Sequence, residues 1–443
     1  MASLRHIVTQ IRHVEQQNSA HLSSGREEDV TELETMLCSR GTEGIIKQAD
    51  VETVLSSIES LDTRSHQVGI LHILGALSKS LVCSGGEDIL EQYCRLTFDF
   101  LLSCSPDDYI GYSNMSKKKL CRVCCTVGQV AMESGRAKQA IVPVSTGLHC
   151  LVQGRLEILT PVHAELLKLC LVSKMYSKAV SFLKSHAILS APECYKTRST
   201  HVLLYFYYGG MVYTGLKQYK EAMFMYLGAM TMPAFQVSEI ALEAAKKYIL
   251  VSLILYGDIK PIPSYASTLL TKDVKIVCEN YYSLGSLVAS GKDVQVFVAE
   301  REDLWRRDGN FGLVQILVGQ ECQRKQRIEN LGKIYSSIPR DRLVSELGLG
   351  QWEEMMRVIF SMEASERTRV KLDEKDNVLH LSEADGTDIS MKDMMQLIQE
   401  CQNMKDVIDE ESHHIECLPE CIVSQEPKGS ARSREIAVED PSS

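Results

Sequence analysis

Proline is scarce in this chain of 443 residues, with 11 in all, and aromatic residues reach only 6% beside 27 glycines. So few helix breakers and so few aromatics favour helices over sheets. No run of 18 or more apolar residues occurs, so no segment is expected to span a membrane. The N-terminus, MASLRHIVTQIRHVEQQNSA, has charges and glutamines where a secretory leader needs an apolar core. Phosphate-loop GxxxxGK[ST] and dinucleotide GxGxxG motifs are missing, as are G-x-S-x-G and H-E-x-x-H. The H-x-H pair of a metal-dependent isopeptidase is missing too. No catalytic, cofactor-binding or metal-binding residue is therefore expected, and no cofactor. A net charge of −10 argues against a chain that wraps nucleic acid or an anionic membrane.

What is present is ordinary for a globular protein: 44% apolar and 24% charged residues, in a chain long enough for two or three domains. Fifteen cysteines are scattered, many of them, such as Cys94, Cys170 and Cys278, inside apolar helical runs. That usage fits free thiols in a reducing compartment, cytoplasm or nucleus.

Residues 1–326 read as successive amphipathic helices. DVETVLSSIESL places Val51, Val54, Leu55, Ile58 and Leu61 on one face. HQVGILHILGALSKSLV is apolar nearly all round, the pattern of an interior helix. Pro161 suits the first turn of PVHAELLKLCLVSKMY.

The segment YFYYGGMVYTGLKQYKEAMFMYLGAMTMP, Tyr205 to Pro233, splits into helices over about 200–214 and 217–230, with Gly215 as a left-handed cap between them. Gly210, Tyr213, Ala222, Tyr226 and Ala229 fall at tetratricopeptide offsets. Small residues at Gly210 and Ala222 let two antiparallel helices approach, and tyrosines fill the gaps beside them. The aromatic run is thus expected to be helix packing rather than a ligand pocket. Tyr176 and Ala179 repeat the pattern upstream, so the array is a stack of irregular hairpins. A further helix carries Val237, Ile240, Ala244, Tyr248, Val251 and Leu255 and stops at Gly257. Others are expected at 271–289, 293–306 and 311–326.

Near residue 327 the pattern changes. Three short helices, the second opening at Pro339, precede RTRVKLD-EKDN-VLHLS, which reads as strand, tight turn and strand. That is the order of a winged helix. Its third helix carries Glu353, Glu354 and Glu363 against Arg357, and residues 328–385 hold 12 acidic and 8 basic side chains. Such a face repels phosphate, so a protein partner is expected rather than DNA. After the linker EADGTD, a final helix over 387–411 aligns Met391, Met394, Ile398, Cys401 and Ile408, a stripe suited to a bundle with partner helices. Residues 412–443 read as a disordered polar tail. CRVCC (Cys121, Cys124, Cys125) lacks companion zinc ligands and reads as small buried hydrophobes. His413, His414, Cys417 and Cys421 lie within nine residues, with no folded scaffold to orient them.

Helical hairpins ending in a winged helix and a last helix resemble the PCI family. These are scaffold subunits of the proteasome lid, the COP9 signalosome and translation initiation factor complexes. The blocks PVHAELLKLCLVSKMYSKAV, YYGGMVYTGLKQYKEAMFMY, EAAKKYILVSLILYG, RRDGNFGLVQ and EKDNVLHL, in order from 161 to 381, resemble the family of signalosome subunit 3. The resemblance implies an all-α fold: a right-handed superhelix of tetratricopeptide-like hairpins over 1–326, with the PCI-proper part at about 197–326. A winged helix at 327–386 with a small β-hairpin and the bundle helix at 387–411 follow. It also implies a non-catalytic subunit of a complex that removes a ubiquitin-like modifier from cullins and so regulates cullin–RING ubiquitin ligases. Partners would be other signalosome subunits, met through the winged helix and the last helix, with cullin–RING ligases reached indirectly and neither nucleic acid nor membrane. The alternative within the same architecture is a proteasome-lid or initiation-factor scaffold.

Overall fold

The computed structural model describes residues 4–20, 33–64, 66–78, 86–105, 114–183 except 154, 156 and 157, 192–233, 236–290 and 294–319. Beyond these it describes 337–346, 368–373, 378–383 and 391–416, with scattered positions between 327 and 359. Helices dominate, and the described strands form one three-stranded sheet. The chain divides into two compact units, one of residues 1–334 and 341–359, the other of 335–340 and 360–443.

The first unit opens with α1 (Leu4–Ala20), α2 (33–37), α3 (Arg40–Gln48), α4 (Val51–Glu59), α5 (Gln67–Leu77) and α6 (Glu87–Ser103). Next come α7 (Asn114–Glu133), α8 (Ala137–Val152), α9 (Pro161–Val172), α10 (Tyr176–Val180), α11 (Ser199–Gly215) and α12 (Tyr219–Thr231). The helical series ends with α13 (Glu239–Tyr256), α14 (Thr268–Val277), α15 (Glu279–Ala289), α16 (Gln295–Glu300), α17 (Glu302–Arg307) and α18 (Phe311–Val318). Every residue of α5 is buried, as its all-round apolar sequence requires. Pro161 stands in the first turn of α9, where its missing N–H costs nothing. There the Thr160 N–H donates to His163 Nδ1 at 3.1 Å.

Four of the turns between helices share one hydrogen-bond pattern, and it exposes the repeat that the sequence conceals. Arg136 N–H donates to Ala131 O at 2.7 Å, Met175 to Cys170 O at 2.8 Å, Gln218 to Tyr213 O at 2.9 Å and Asn310 to Trp305 O at 2.9 Å. Each is the long bond of a Schellman motif, which consumes orphan carbonyls at a helix end. The motif needs a left-handed residue just before the donor. Gly135 (φ 70°) and Gly309 (φ 68°) supply it in two turns, Lys174 (φ 55°) and Lys217 (φ 60°) in the other two. Only the first pair is the residue type that a sequence search expects there.

Several boundaries therefore differ from expectation. Gly215 is not the left-handed cap between α11 and α12; Lys217 is, and Gly215 instead makes room for the Tyr176 ring, 3.1 Å from where its Cβ would stand. The helix expected at 271–289 is two, broken at Cys278, and the one at 293–306 is two, broken at Arg301. Neither break carries Gly or Pro, so local propensity hides it.

Past α15 a buried polar lock ties four elements together. Lys247 of α13 donates to Asn310 Oδ1 at 2.6 Å, and Asn310 Nδ2 donates to the Tyr281 hydroxyl at 2.8 Å. Tyr281 in turn donates to Asp308 at 2.9 Å, and Lys246 pairs with Asp308 at 3.0 Å. Trp305 meets the Tyr281 ring edge-on at 5.0 Å. Tying these groups to one another satisfies polar atoms that burial would otherwise penalise.

In the second unit β1 (Ser337–Pro339), β2 (Thr368–Asp373) and β3 (Val378–Glu383) form a sheet in the order β1-β3-β2, both pairings antiparallel. Register sets Val370 opposite Leu381 and Leu372 opposite Leu379, while Ile338 faces Leu379 from the other side. The hairpin strands are those the alternation predicts. β1 is an addition: Pro339 ends a strand rather than opening a helix, and the short helix α19 runs Arg340–Glu346. Proline fits there because an edge strand spares one amide. The turn at 374–377 lies outside the described residues, as do Glu353, Glu354, Arg357 and Glu363 of the expected third helix, of which only Met356, Val358 and Ile359 are described, all three helical and the last two buried. The last helix, α20, spans Met391–Glu416, so residues 412–416 belong to a helix and not to a tail.

Candidate functional site

Reactive chemistry has little to build on in the described part of the molecule. Among the described residues no group of three or more His, Cys, Asp or Glu is placed to hold a metal. In CRVCC, Cys121 and Cys124 are buried and Cys125 half-buried along α7. Burial pushes the Cys124 thiol well above its usual range. Cys125 is pushed up by a hydrogen bond with the free thiol of Cys121 and by burial. Thiols held protonated in this way act as small hydrophobes, not nucleophiles. His413 and His414 lie within α20, whereas Cys417 and Cys421 lie outside the described residues.

One histidine and cysteine do meet. Cys38 Sγ lies 3.7 Å from His72 Nδ1, the distance scale of a thiol–imidazole pair. The same nitrogen, however, accepts from Lys119 Nζ at 2.9 Å, and Lys119 also pairs with Glu43 at 3.3 Å. Burial, and then the Lys119 ammonium, lower the His72 imidazole to about 3. Burial raises the Cys38 thiol. On its other side His72 Nε2 lies 3.4 Å from Ser116 Oγ, whose hydroxyl donates to Glu34. A base that takes no proton beside a thiol that keeps its own is a structural tie between α2, α3, α5 and α7.

The hairpin residues gather at the contact of α11 and α12. Ala222, Tyr226 and Ala229 are fully buried and Tyr213 nearly so. Gly210 faces the Tyr226 ring rather than Ala222: a Cβ at Gly210 would stand 2.5 Å from Tyr226 Cε1. The adjoining Gly209 leaves space for Met225 and Leu183, and Gly228 leaves space for Phe206. Tyr205 and Phe206 pack edge to face at 5.5 Å, and Tyr207 lies 6.4 Å from Tyr226. The aromatic run therefore fills contacts between helices. Thr214, which pattern matching overlooked, fixes the centre of this contact. It donates to Gly210 O at 2.7 Å and shares a hydrogen bond with the Tyr226 hydroxyl at 3.0 Å. Its position one turn after Gly210 was the available signal.

The stripe of α20 presents the opposite situation. Met394, Met395, Ile398, Met404 and Ile408 are exposed, from 45% at Met404 to 66% at Met395, and Cys401 is exposed beside them. The Met391 side chain lies outside the described residues. A contiguous exposed apolar stripe of this kind is the feature by which contact surfaces are recognised.

Stacked hairpins tied by buried polar contacts define an α-helical repeat protein. Within that class the chain belongs to the COP9 signalosome complex subunit 3 family, whose N-terminal helical-repeat model matches residues 27–270. It is similar to COP9 signalosome complex subunit 3 of Drosophila melanogaster, 26% identical over 339 residues, covering 73% of this chain and 74% of the relative. The subunit of the same name from Arabidopsis thaliana is 27% identical over 364 residues, covering 81% and 80%. No described helix is long and apolar enough to cross a membrane.

Proposed function

We propose that this chain is a non-catalytic scaffold subunit of a COP9 signalosome, the complex that removes a ubiquitin-like modifier from cullins and thereby regulates cullin–RING ubiquitin ligases. Residues 1–326 form the repeat arm, 327–386 the winged helix that joins neighbouring subunits, and α20 the helix that enters a bundle with partner helices. The isopeptidase chemistry belongs to another subunit, and this chain requires no metal or cofactor of its own. It acts where its complex acts, in cytoplasm and nucleus, and reaches cullin–RING ligases only through the assembly. The family match favours the signalosome over the proteasome lid and the initiation factor complexes.

The exposed stripe of α20 carries the reading, with Met394 at 49%, Ile398 at 51% and Ile408 at 55% exposure. Burying apolar surface contributes about 25 cal/mol per Å², so a partner that covers this stripe gains from doing so. Methionines adapt to several neighbours at once. The test compares the full chain with one truncated after Asp385, for thermal stability and for co-purification with the complex. We expect unchanged melting of the helical unit and much weaker incorporation. Incorporation equal to that of the full chain would overturn the bundle role. Stoichiometric zinc together with isopeptide cleavage by the isolated chain would overturn the non-catalytic assignment.

A further inference from the structure

The two halves of α20 differ in charge beside the same apolar seam. The seam recurs at Met391, Met394, Ile398 and Cys401, then at Ile408 and Ile415. Lys405 and Ser412 hold the seam positions in between. Beside the seam the first half places Met395, Leu397, Gln402 and Met404, none of them charged, and the second half places Asp409, Glu411 and Glu416. In heptad terms these are the e and g positions, which set partner choice and orientation when helices pair. Lys405, Asp406 and Asp409 are exposed, as are the seam residues Met394, Ile398 and Ile408.

The acid end works against the helix that carries it. Asp409, Glu410, Glu411 and Glu416 lie near its C-terminus, where the backbone dipole favours cations. Asp406 and Glu410, four apart, repel each other along one face, and Lys405 precedes Asp409 by four, the weaker order for such an ion pair. No Lys or Arg follows Lys405 in the helix, which holds seven Asp and Glu against two Lys over 391–416. Among the described elements none packs along α20, and its own side-chain hydrogen bond, Gln399 to Asn403 at 3.1 Å, runs along its surface. A helix end whose local preferences conflict in this way marks a segment completed by something outside it.

We propose that α20 takes as its neighbour an amphipathic helix of a different polypeptide, apolar along its seam and rich in Lys or Arg at the flanking positions that meet residues 405–416. The inference rests on the bundle role of α20 and adds the chemistry of the neighbour. Cations at those positions pair with Asp409, Glu411 and Glu416 and stand at the negative end of the dipole. Lys405 is a seam lysine of the kind that fixes register, and an acid on the neighbour's seam answers it. A second copy of this chain lacks the required cations. Paired parallel, its acid end meets acid; paired antiparallel, the acid end meets the uncharged flanks of the first half. An anionic membrane surface, another place to bury an apolar stripe, repels the same carboxylates.

Fluorescence anisotropy of the full-length chain in about 0.1 M salt tests this with three labelled amphipathic peptides as long as α20. All carry leucine along the seam, and they differ in having Lys, Gln or Glu at the flanking positions of one end. The Lys peptide is expected to bind about tenfold or more tighter than the Glu peptide, with the Gln peptide between them. D409K/E411K/E416K should reverse that order. D409N/E411Q/E416Q should weaken the Lys peptide while the melting temperature holds or rises, which a merely structural role for these acids does not produce. M394E/I398E should remove binding of all three. Equal binding of the three peptides, lost in M394E/I398E, would overturn the charge rule and leave the bundle role standing. No binding of any peptide, or an order that D409K/E411K/E416K leaves unchanged, would also overturn it. A full-length dimer in sedimentation that M394E/I398E disperses would overturn it in favour of a second copy.

Discussion

The Tyr226 ring lies where a side chain on Gly210 would have to be, with Cε1 2.5 Å from the position of a Cβ. The ring has little freedom to withdraw. Tyr226 is fully buried, and its hydroxyl is held by Thr214, which is itself bonded to Gly210 O. Gly210→Ala should therefore overpack the α11–α12 contact and destabilise the helical unit by about 1–3 kcal/mol, and Gly210→Leu by more. Denaturant unfolding measures this. An alanine variant as stable as the parent would show that the hairpin relaxes freely at this contact.

The left-handed turns make a prediction of opposite sign. A Cβ in this conformation costs roughly 1–2 kcal/mol. Lys217→Gly should raise stability by about 1 kcal/mol, although glycine gives back part of the gain through unfolded-chain entropy. Gly309→Ala, at φ 68° with open space around its Cβ, should lower stability by a similar amount through backbone conformation alone.

Stability should fall with acid in a defined window. Burial pushes both His72, to about 3, and His163, to about 4, below the ordinary 6.5. As pH drops below 6.5 the unfolded chain therefore binds protons that the folded chain refuses. The contribution of each neutral histidine is complete above pH 6.5 and is lost progressively towards pH 4 and 3. Each adds a slope of at most about 1.4 kcal/mol per pH unit. His163→Gln keeps an acceptor for the Thr160 N–H but removes the titration. A plot of melting temperature against pH between 6.5 and 4 should then be shallower than for the parent.

Asn310 is fully buried, and its side chain bridges Lys247 to Tyr281. Asn310→Leu would leave the Lys247 ammonium, 5% exposed, with only the Tyr207 ring 5.9 Å away among its described contacts. A stranded charge costs more than a lost neutral bond, so a loss of about 3 kcal/mol is expected. Adding Lys247→Met should recover part of it, because the second change removes the charge that the first left unpaired. Unfolding curves of the two single variants and the double variant form the cycle that decides it.

Met394→Glu with Ile398→Glu should leave the melting of the isolated chain unchanged, since both side chains already stand in water. The same pair should reduce co-purification with partner subunits, since covering the stripe would then bury two carboxylates. A drop in melting temperature of the isolated chain would mean instead that the stripe packs within its own unit.

The all-helical class, the interior helix α5, the Pro161 start, the hairpin at 205–230 and the strand alternation of the wing were all legible in the residues. Each depends on a local rule, a period of 3.6 or 2, a proline, or a small residue beside an aromatic, and such rules act within a few residues of chain. Tertiary structure alone decided the rest. Lys174 and Lys217 sit left-handed because helix packing on both sides of the turn overrides their backbone preference. The breaks at Cys278 and Arg301 arise from how α14 to α17 lie on their neighbours, with no breaker residue to announce them. β1 exists because residues 337–339 find a partner about 40 residues later, a pairing that no local pattern encodes. Cys38 and His72, 34 positions apart, meet through the stacking of α3 on α5 and of α5 on α7. It is that same packing that holds the pair inert, because it brings Lys119 to the imidazole nitrogen that a catalytic base would need.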